Sequence, residues 1–150
     1  MSGKRLAPFP GLSGQIPAIA FSPDDTLLAS GAIGDQRVSI CRVDDPSVRH
    51  VLEGHNGGAR ALAFAPDGRT LATAGNDGMI RLWSLATYQP VLILKEHTGA
   101  VTSIAFTRTG DLMASCDAEG DVRLWPAELL EDRRWRTEAG SGRAAPGGLP

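Results

Sequence analysis

Apolar residues along this chain fall in runs of three to five, too short for ordinary helices, and the runs recur. Ala18-Ile19-Ala20-Phe21 leads into Ser22-Pro23-Asp24-Asp25, and the run ending at Phe64 leads into Ala65-Pro66-Asp67-Gly68. Ile104-Ala105-Phe106 leads likewise into Thr107-Arg108-Thr109-Gly110. A second run follows each turn, at Leu27–Ser30, Thr70–Thr73 and Leu112–Ser115, and a third lies at Val38–Cys41, Ile80–Trp83 and Val122–Trp125. Phe21, Phe64 and Phe106 mark the repeat, at intervals of 43 and 42 residues. A fourth, outer run appears at Val48–Leu52 and again at Pro90–Leu94. The turns are specified by chemistry: Pro66 presets φ, Gly68 accepts a left-handed conformation, and Asn76-Asp77-Gly78 makes the next turn in the same way. The third copy departs where its outer run should fall, near Arg133 to Arg136. Pro126 followed by Ala-Glu-Leu-Leu reads as a helix start, with a strand around Trp135 as the alternative.

A period of about 40–45 residues made of four short strands is the signature of a propeller blade. The Gly54-His55 pair, the Pro-Asp-Gly turn, the Asp77 turn and the closing Trp83 resemble the WD40 family, and the likeness runs from Gly11 to Trp125. It implies an all-β chain: a partial β-propeller of three four-stranded antiparallel blades, followed by a short C-terminal helix and a disordered tail. The expected segments are a strand-like stretch over 1–10, a degenerate first blade over 11–52, a second over 53–94, a third over 95–136 and the tail over 137–150. The first blade is degenerate because Gly11-Leu12 replaces Gly-His and Cys41 replaces Trp. Closed propellers use roughly four to eight blades. Three cannot close a ring, so missing blades or self-association are expected. The two end faces are expected to present Ile19, Phe21, Leu28 and Ile40 on one side and Ile104, Phe106, Met113 and Leu124 on the other.

His55, Thr73, Asp77 and Trp83 recur at identical spacing as His97, Ser115, Glu119 and Trp125. Hydroxyl, imidazole and carboxylate invite a catalytic-triad reading. Their repetition argues instead for a role each blade needs, and the resemblance implies a buried structural tetrad. Glu119 is one methylene longer than Asp77, and Asp117, two residues earlier, competes for His97.

A formal charge of −2 and a pI near 5.9 give no global pull toward nucleic acid. Arg133, Arg134 and Arg136 read as a solvated face. No run approaches a membrane span, and Met1–Pro10 lacks the continuous apolar stretch of a signal peptide. A cytoplasmic chain, or a piece of a larger one, is the expectation. Cys41 and Cys116 have no metal-binding spacing and read as buried small hydrophobes. No metal, cofactor or small-molecule substrate is expected. By the resemblance, partners would meet the face carrying the loops into the inner strands, where Gln15, Arg60, Asn76 and Thr102 stand, and Arg60 has the chemistry of a binding hot spot. The function this supports is a non-catalytic scaffold for other proteins. The alternative is a regulatory propeller segment of a multidomain signalling enzyme whose catalytic domain lies elsewhere.

Overall fold

The structure, a computed structural model, describes residues 12–130. The strand-like stretch expected over 1–10, the outer strand expected near Arg133 to Arg136 and the tail from 137 lie outside the described residues. The first sheet is β1 (Gln15–Phe21), β2 (Leu27–Ile33), β3 (Arg37–Arg42) and β4 (Arg49–Glu53), paired antiparallel in chain order. The second repeats that order with β5 (Ala59–Phe64), β6 (Thr70–Gly75), β7 (Ile80–Ser84) and β8 (Pro90–Leu94). The third has β9 (Val101–Phe106), β10 (Leu112–Asp117) and β11 (Val122–Pro126) among the described residues. Residues 127–130 then form one helical turn directly after Pro126.

The β1–β2, β5–β6 and β9–β10 connections are one turn built three times. The N–H of Asp25, Gly68 and Gly110 donates to the carbonyl of Ser22, Ala65 and Thr107, at 2.9, 3.0 and 3.0 Å. All three residues have positive φ, at 62°, 71° and 79°. Glycine takes that conformation freely, whereas Asp25 is among the few side chains that tolerate it.

The sheets stack face to face with β5 packed against both β1 and β9. Alternation along a strand decides what each face offers its neighbour. Ala29, Val38, Ile40 and Leu52 of the first sheet meet Leu62, Phe64, Leu71 and Trp83 of the second. The opposite face of the second sheet, with Ala72, Ala74, Ile80 and Leu82, meets Ile104, Met113 and Trp125 of the third. At the rim His50 stacks on Tyr88, ring centroids 3.6 Å apart.

This parity corrects part of the sequence-based expectation for the end faces. Ile40, Ile104, Phe106 and Met113 do not look outward: each shares strand parity with residues packed on a neighbour, so Ile40, Ile104 and Met113 are buried between sheets and Phe106 is half-buried there. Ile19 and Phe21 are exposed on the first sheet (63% and 57%), and Val122 and Leu124 on the third (70% and 61%). Substitution should separate the two classes. In urea melts of dilute protein, Met113→Ala is expected to cost about 2–5 kcal/mol, as for buried large-to-small changes. Leu124→Ala should stay within about 0.5 kcal/mol. Equal costs would contradict the assignment of faces.

Candidate functional site

Trp83 lies on the face of the second sheet that meets the first, and its indole N–H donates to Thr73 Oγ1 at 2.8 Å. Thr73 Oγ1 is 2.7 Å from His55 Nε2, and His55 Nδ1 is 3.2 Å from Asp77 Oδ1. One tautomer satisfies every member of this chain. Indole only donates and carboxylate only accepts, so with the imidazole proton on Nδ1 His55 donates to Asp77, and its bare Nε2 takes the Thr73 hydroxyl proton. Arg81 Nη1 lies 3.0 Å from that Nδ1 and donates to Asp77 Oδ2 at 2.8 Å. Asp77 Oδ2 also accepts from the N–H of Asn56, which ties the β4–β5 loop to the β6–β7 turn. Arg81 has no place in the sequence pattern above. Its signal was position: it shares the Trp83 face of β7 and stands four residues after Asp77.

The third sheet repeats the chain with one substitution. Trp125 donates to Ser115 Oγ at 2.8 Å, and Ser115 Oγ is 2.7 Å from His97 Nε2. The spacing points to Glu119 as the carboxylate, but the structure places Asp117 there, with Oδ2 2.8 Å from His97 Nδ1. Glycine explains the exchange. Gly75 occupies the equivalent position in the second sheet, and a Cβ built on it would lie 3.1 Å from His55 Nδ1. An aspartate at that position therefore starts against the imidazole and needs no reach from the turn. Asp117 Oδ1 accepts from the N–H groups of Glu119 and Asp121, while the Glu119 side chain is exposed. Arg123, the counterpart of Arg81, lies 3.7 Å from Glu96 instead.

The first sheet keeps only the hydroxyl, Ser30, and the carboxylate, Asp35. Asp35 takes a two-point contact from Arg37, at 2.8 and 2.7 Å, and accepts the Ser13 N–H at 3.5 Å. Leu12 and Cys41 stand at the histidine and tryptophan places, so no chain forms.

Triad chemistry is closed to these groups. Thr73 and Ser115 are 0% and 2% exposed, and each hydroxyl oxygen already accepts an indole proton. Among the described residues no group of three or more His, Cys, Asp or Glu is placed to hold a metal ion.

The four loop-face residues are placed differently from one another. Ala59 pairs with Gly75 and Ala61 with Ala74, so Arg60 is the extra residue of a bulge. Thr102 is the extra residue of the matching bulge between Val101 and Ser103. Bulges re-aim side chains. Arg60 is half-buried and its Nε donates to Asn76 Oδ1, while Asn76 Nδ2 donates to the Gly57 carbonyl. Thr102 is exposed and its hydroxyl donates to the Cys116 carbonyl at 3.4 Å. Gln15 is exposed at the first residue of β1. The loops into β5 and β9 are thus fixed from below by the buried chains, and one arginine is fixed from above.

The model for WD40, the WD domain, G-beta repeat, matches residues 3–41, 46–84 and 88–126. The chain belongs to the WD40 family. Among its relatives, the small ribosomal subunit protein RACK1y of Oryza sativa subsp. japonica is 36% identical over 77 residues, 50% of this chain and 23% of that protein. WD repeat-containing protein 90 of Mus musculus is 36% identical over 86 residues, 53% of this chain and 5% of that protein. Apoptotic protease-activating factor 1 of Rattus norvegicus is 34% identical over 89 residues, 59% of this chain and 7% of that protein. The chain thus spans less than a quarter of the length of each of these relatives.

Two predictions follow from the buried chains. Thr73→Ala strands the Trp83 N–H and His55 Nε2, so it should cost about 2–4 kcal/mol, since each orphaned buried group costs about 1–3. Thr73→Ser should restore most of it; equal loss in both variants would contradict the hydrogen-bonded role. The second prediction concerns acid. Burial holds His55 below its ordinary 6.5, outweighing the pull of Asp77. Burial also works to raise Asp77, but Arg81, His55 and the Met79 N–H outweigh it and leave its carboxyl below the usual range. The hydrogen bond from His97 lowers Asp117, and Arg37 holds Asp35 at about 2. All four groups bind protons more weakly folded than unfolded. Their contribution is therefore complete above pH 6.5 and is lost on acidification, first as the unfolded histidine protonates and then as the carboxylates do. Urea midpoints should fall steadily from pH 7 toward pH 3; a flat profile would contradict this.

Proposed function

We propose that this chain is a non-catalytic interaction scaffold that binds other proteins on the face carrying the β4–β5 and β8–β9 loops. The three sheets act as part of a larger propeller, completed by further blades or by a second copy. The observation that carries the reading is the Arg60–Asn76–Gly57 linkage. A guanidinium held in place on a bulge loses little freedom on binding, and arginine is among the residues that dominate protein interfaces. Thr102 on the next sheet and Gln15 on the preceding one extend the surface along the stack. WD40 repeats are in general non-catalytic interaction scaffolds, which supports the same assignment. Proteins fit this surface better than nucleic acid, lipid or a small substrate: Arg60 already has an acceptor, and the chain carries a net charge of −2. A cytoplasmic setting agrees with the unpaired Cys41 and Cys116.

The test compares the intact chain with Arg60→Ala and Thr102→Glu as immobilised baits, with captured proteins quantified by mass spectrometry. Arg60→Ala removes one hydrogen bond, about 1 kcal/mol, so the fold should persist. Proteins held by the unsubstituted chain should fall at least about tenfold with either variant, the effect of losing a hot-spot contact of roughly 1.4 kcal/mol or more. Undiminished capture by both folded variants would place binding elsewhere.

A further inference from the structure

The chain makes the same sheet-to-sheet contact twice. A small-residue face looks onward, with Ala63, Ala72, Ile80 and Leu82 on the second sheet, and an aromatic face looks back, with Ile104, Phe106, Met113 and Trp125 on the third. Among the described residues, the faces left open at the two ends are the missing halves of that contact. On the third sheet Ala105, Ala114, Val122 and Leu124 stand 42 residues after Ala63, Ala72, Ile80 and Leu82, at the same register positions. On the first sheet Ile19, Phe21 and Leu28 stand 43 residues before Leu62, Phe64 and Leu71. None of the paired positions on the open third-sheet face is charged; Ser103, Leu112, Cys116 and Pro126 complete it. Val122 and Leu124 on one end and Ile19 and Phe21 on the other are all more than half exposed.

We infer that these two faces dock on each other between copies: the first sheet of one chain packs on the third sheet of a second. The inference rests on reading the three sheets as part of a larger propeller. The contact is head-to-tail, so it uses two different surfaces and can close into a ring. Two copies bring six sheets, within the roughly four to eight of closed propellers. The pairing also continues an interface already present inside each chain, which is why the occupant is a second copy. Its weak point is visible. Ser39 and Cys41 replace Arg81 and Trp83 on the docking face, so the contact between copies lacks a buried polar chain, and its strength comes from apolar burial. Association should therefore be reversible and depend on concentration, while the internal contacts persist in the monomer.

Sedimentation of the intact chain at micromolar concentration should show a species of twice 15.8 kDa that dissociates on dilution. Phe21→Glu blocks the first-sheet face and Leu124→Glu the third-sheet face. Each variant alone should stay monomeric, since every contact needs one face of each kind. An equal mixture should recover a one-to-one pair, because each variant keeps the face the other has lost. Circular dichroism checks that both fold; if Phe21→Glu does not, Ile19→Glu with Val122→Glu makes the same comparison. A folded monomer in the unsubstituted chain, a single variant that pairs as well as it does, or a mixture that fails to pair overturns the inference. A monomer that still captures proteins through Arg60 overturns the docking alone. Pairing without Arg60-dependent capture overturns the proposed binding face instead.

Discussion

A buried indole N–H must find an acceptor, and in this molecule that need sets the local geometry twice. Trp83 and Trp125 each donate into a hydroxyl, and because each histidine gives its Nδ1 proton to a carboxylate, its Nε2 is left to accept the hydroxyl's single proton. The consequence is mechanical. His55 and His97 sit in loops, and the chain of bonds fastens those loops to the middle of their sheets. The net free energy of such a chain is modest, but an orphaned member is costly, so the network selects one arrangement. Protonating His55 would leave Thr73 Oγ1 facing two donors and its own proton without an acceptor.

The same tryptophans fix the direction of stacking. Strand alternation places Trp83 toward the first sheet and Trp125 toward the second, so every sheet has one aromatic face and one face of small or aliphatic residues. An array built on such a rule has polarity, and its two ends are unlike each other. Repeat arrays ordinarily end in polar caps. Here the described ends are apolar, and each matches what the other lacks.

Strand positions, turns and the repeated tetrad spacing were legible in the sequence because they depend on local rules: alternation, Pro-Asp-Gly chemistry and a constant period. Facing was legible only in part. Met113 and Ile104 look like candidates for an open face until their parity with Trp125 is counted, which shows that they turn inward. The exchange of Glu119 for Asp117 had a signal in the chain, since glycine at 75 faces aspartate at 117 one repeat later. Spacing alone could not weigh it, because the choice depends on where a Cβ would point at the end of β6. The bulges that carry Arg60 and Thr102, and the Arg81 contact with Asp77, are properties of backbone register and of side-chain reach across a turn. The period places these residues but does not aim them.

The account turns on the direction of the proton chain through the two imidazoles, and nitrogen-15 NMR of the histidine side chains reads it directly. Long-range proton–nitrogen correlation separates a protonated ring nitrogen from a bare one. At neutral pH both His55 and His97 should carry the proton on Nδ1 and show Nε2 as the bare acceptor of a hydroxyl. Finding the proton on Nε2 in either ring would mean that the hydroxyl accepts twice and that the carboxylate receives nothing from that imidazole, which would contradict the account.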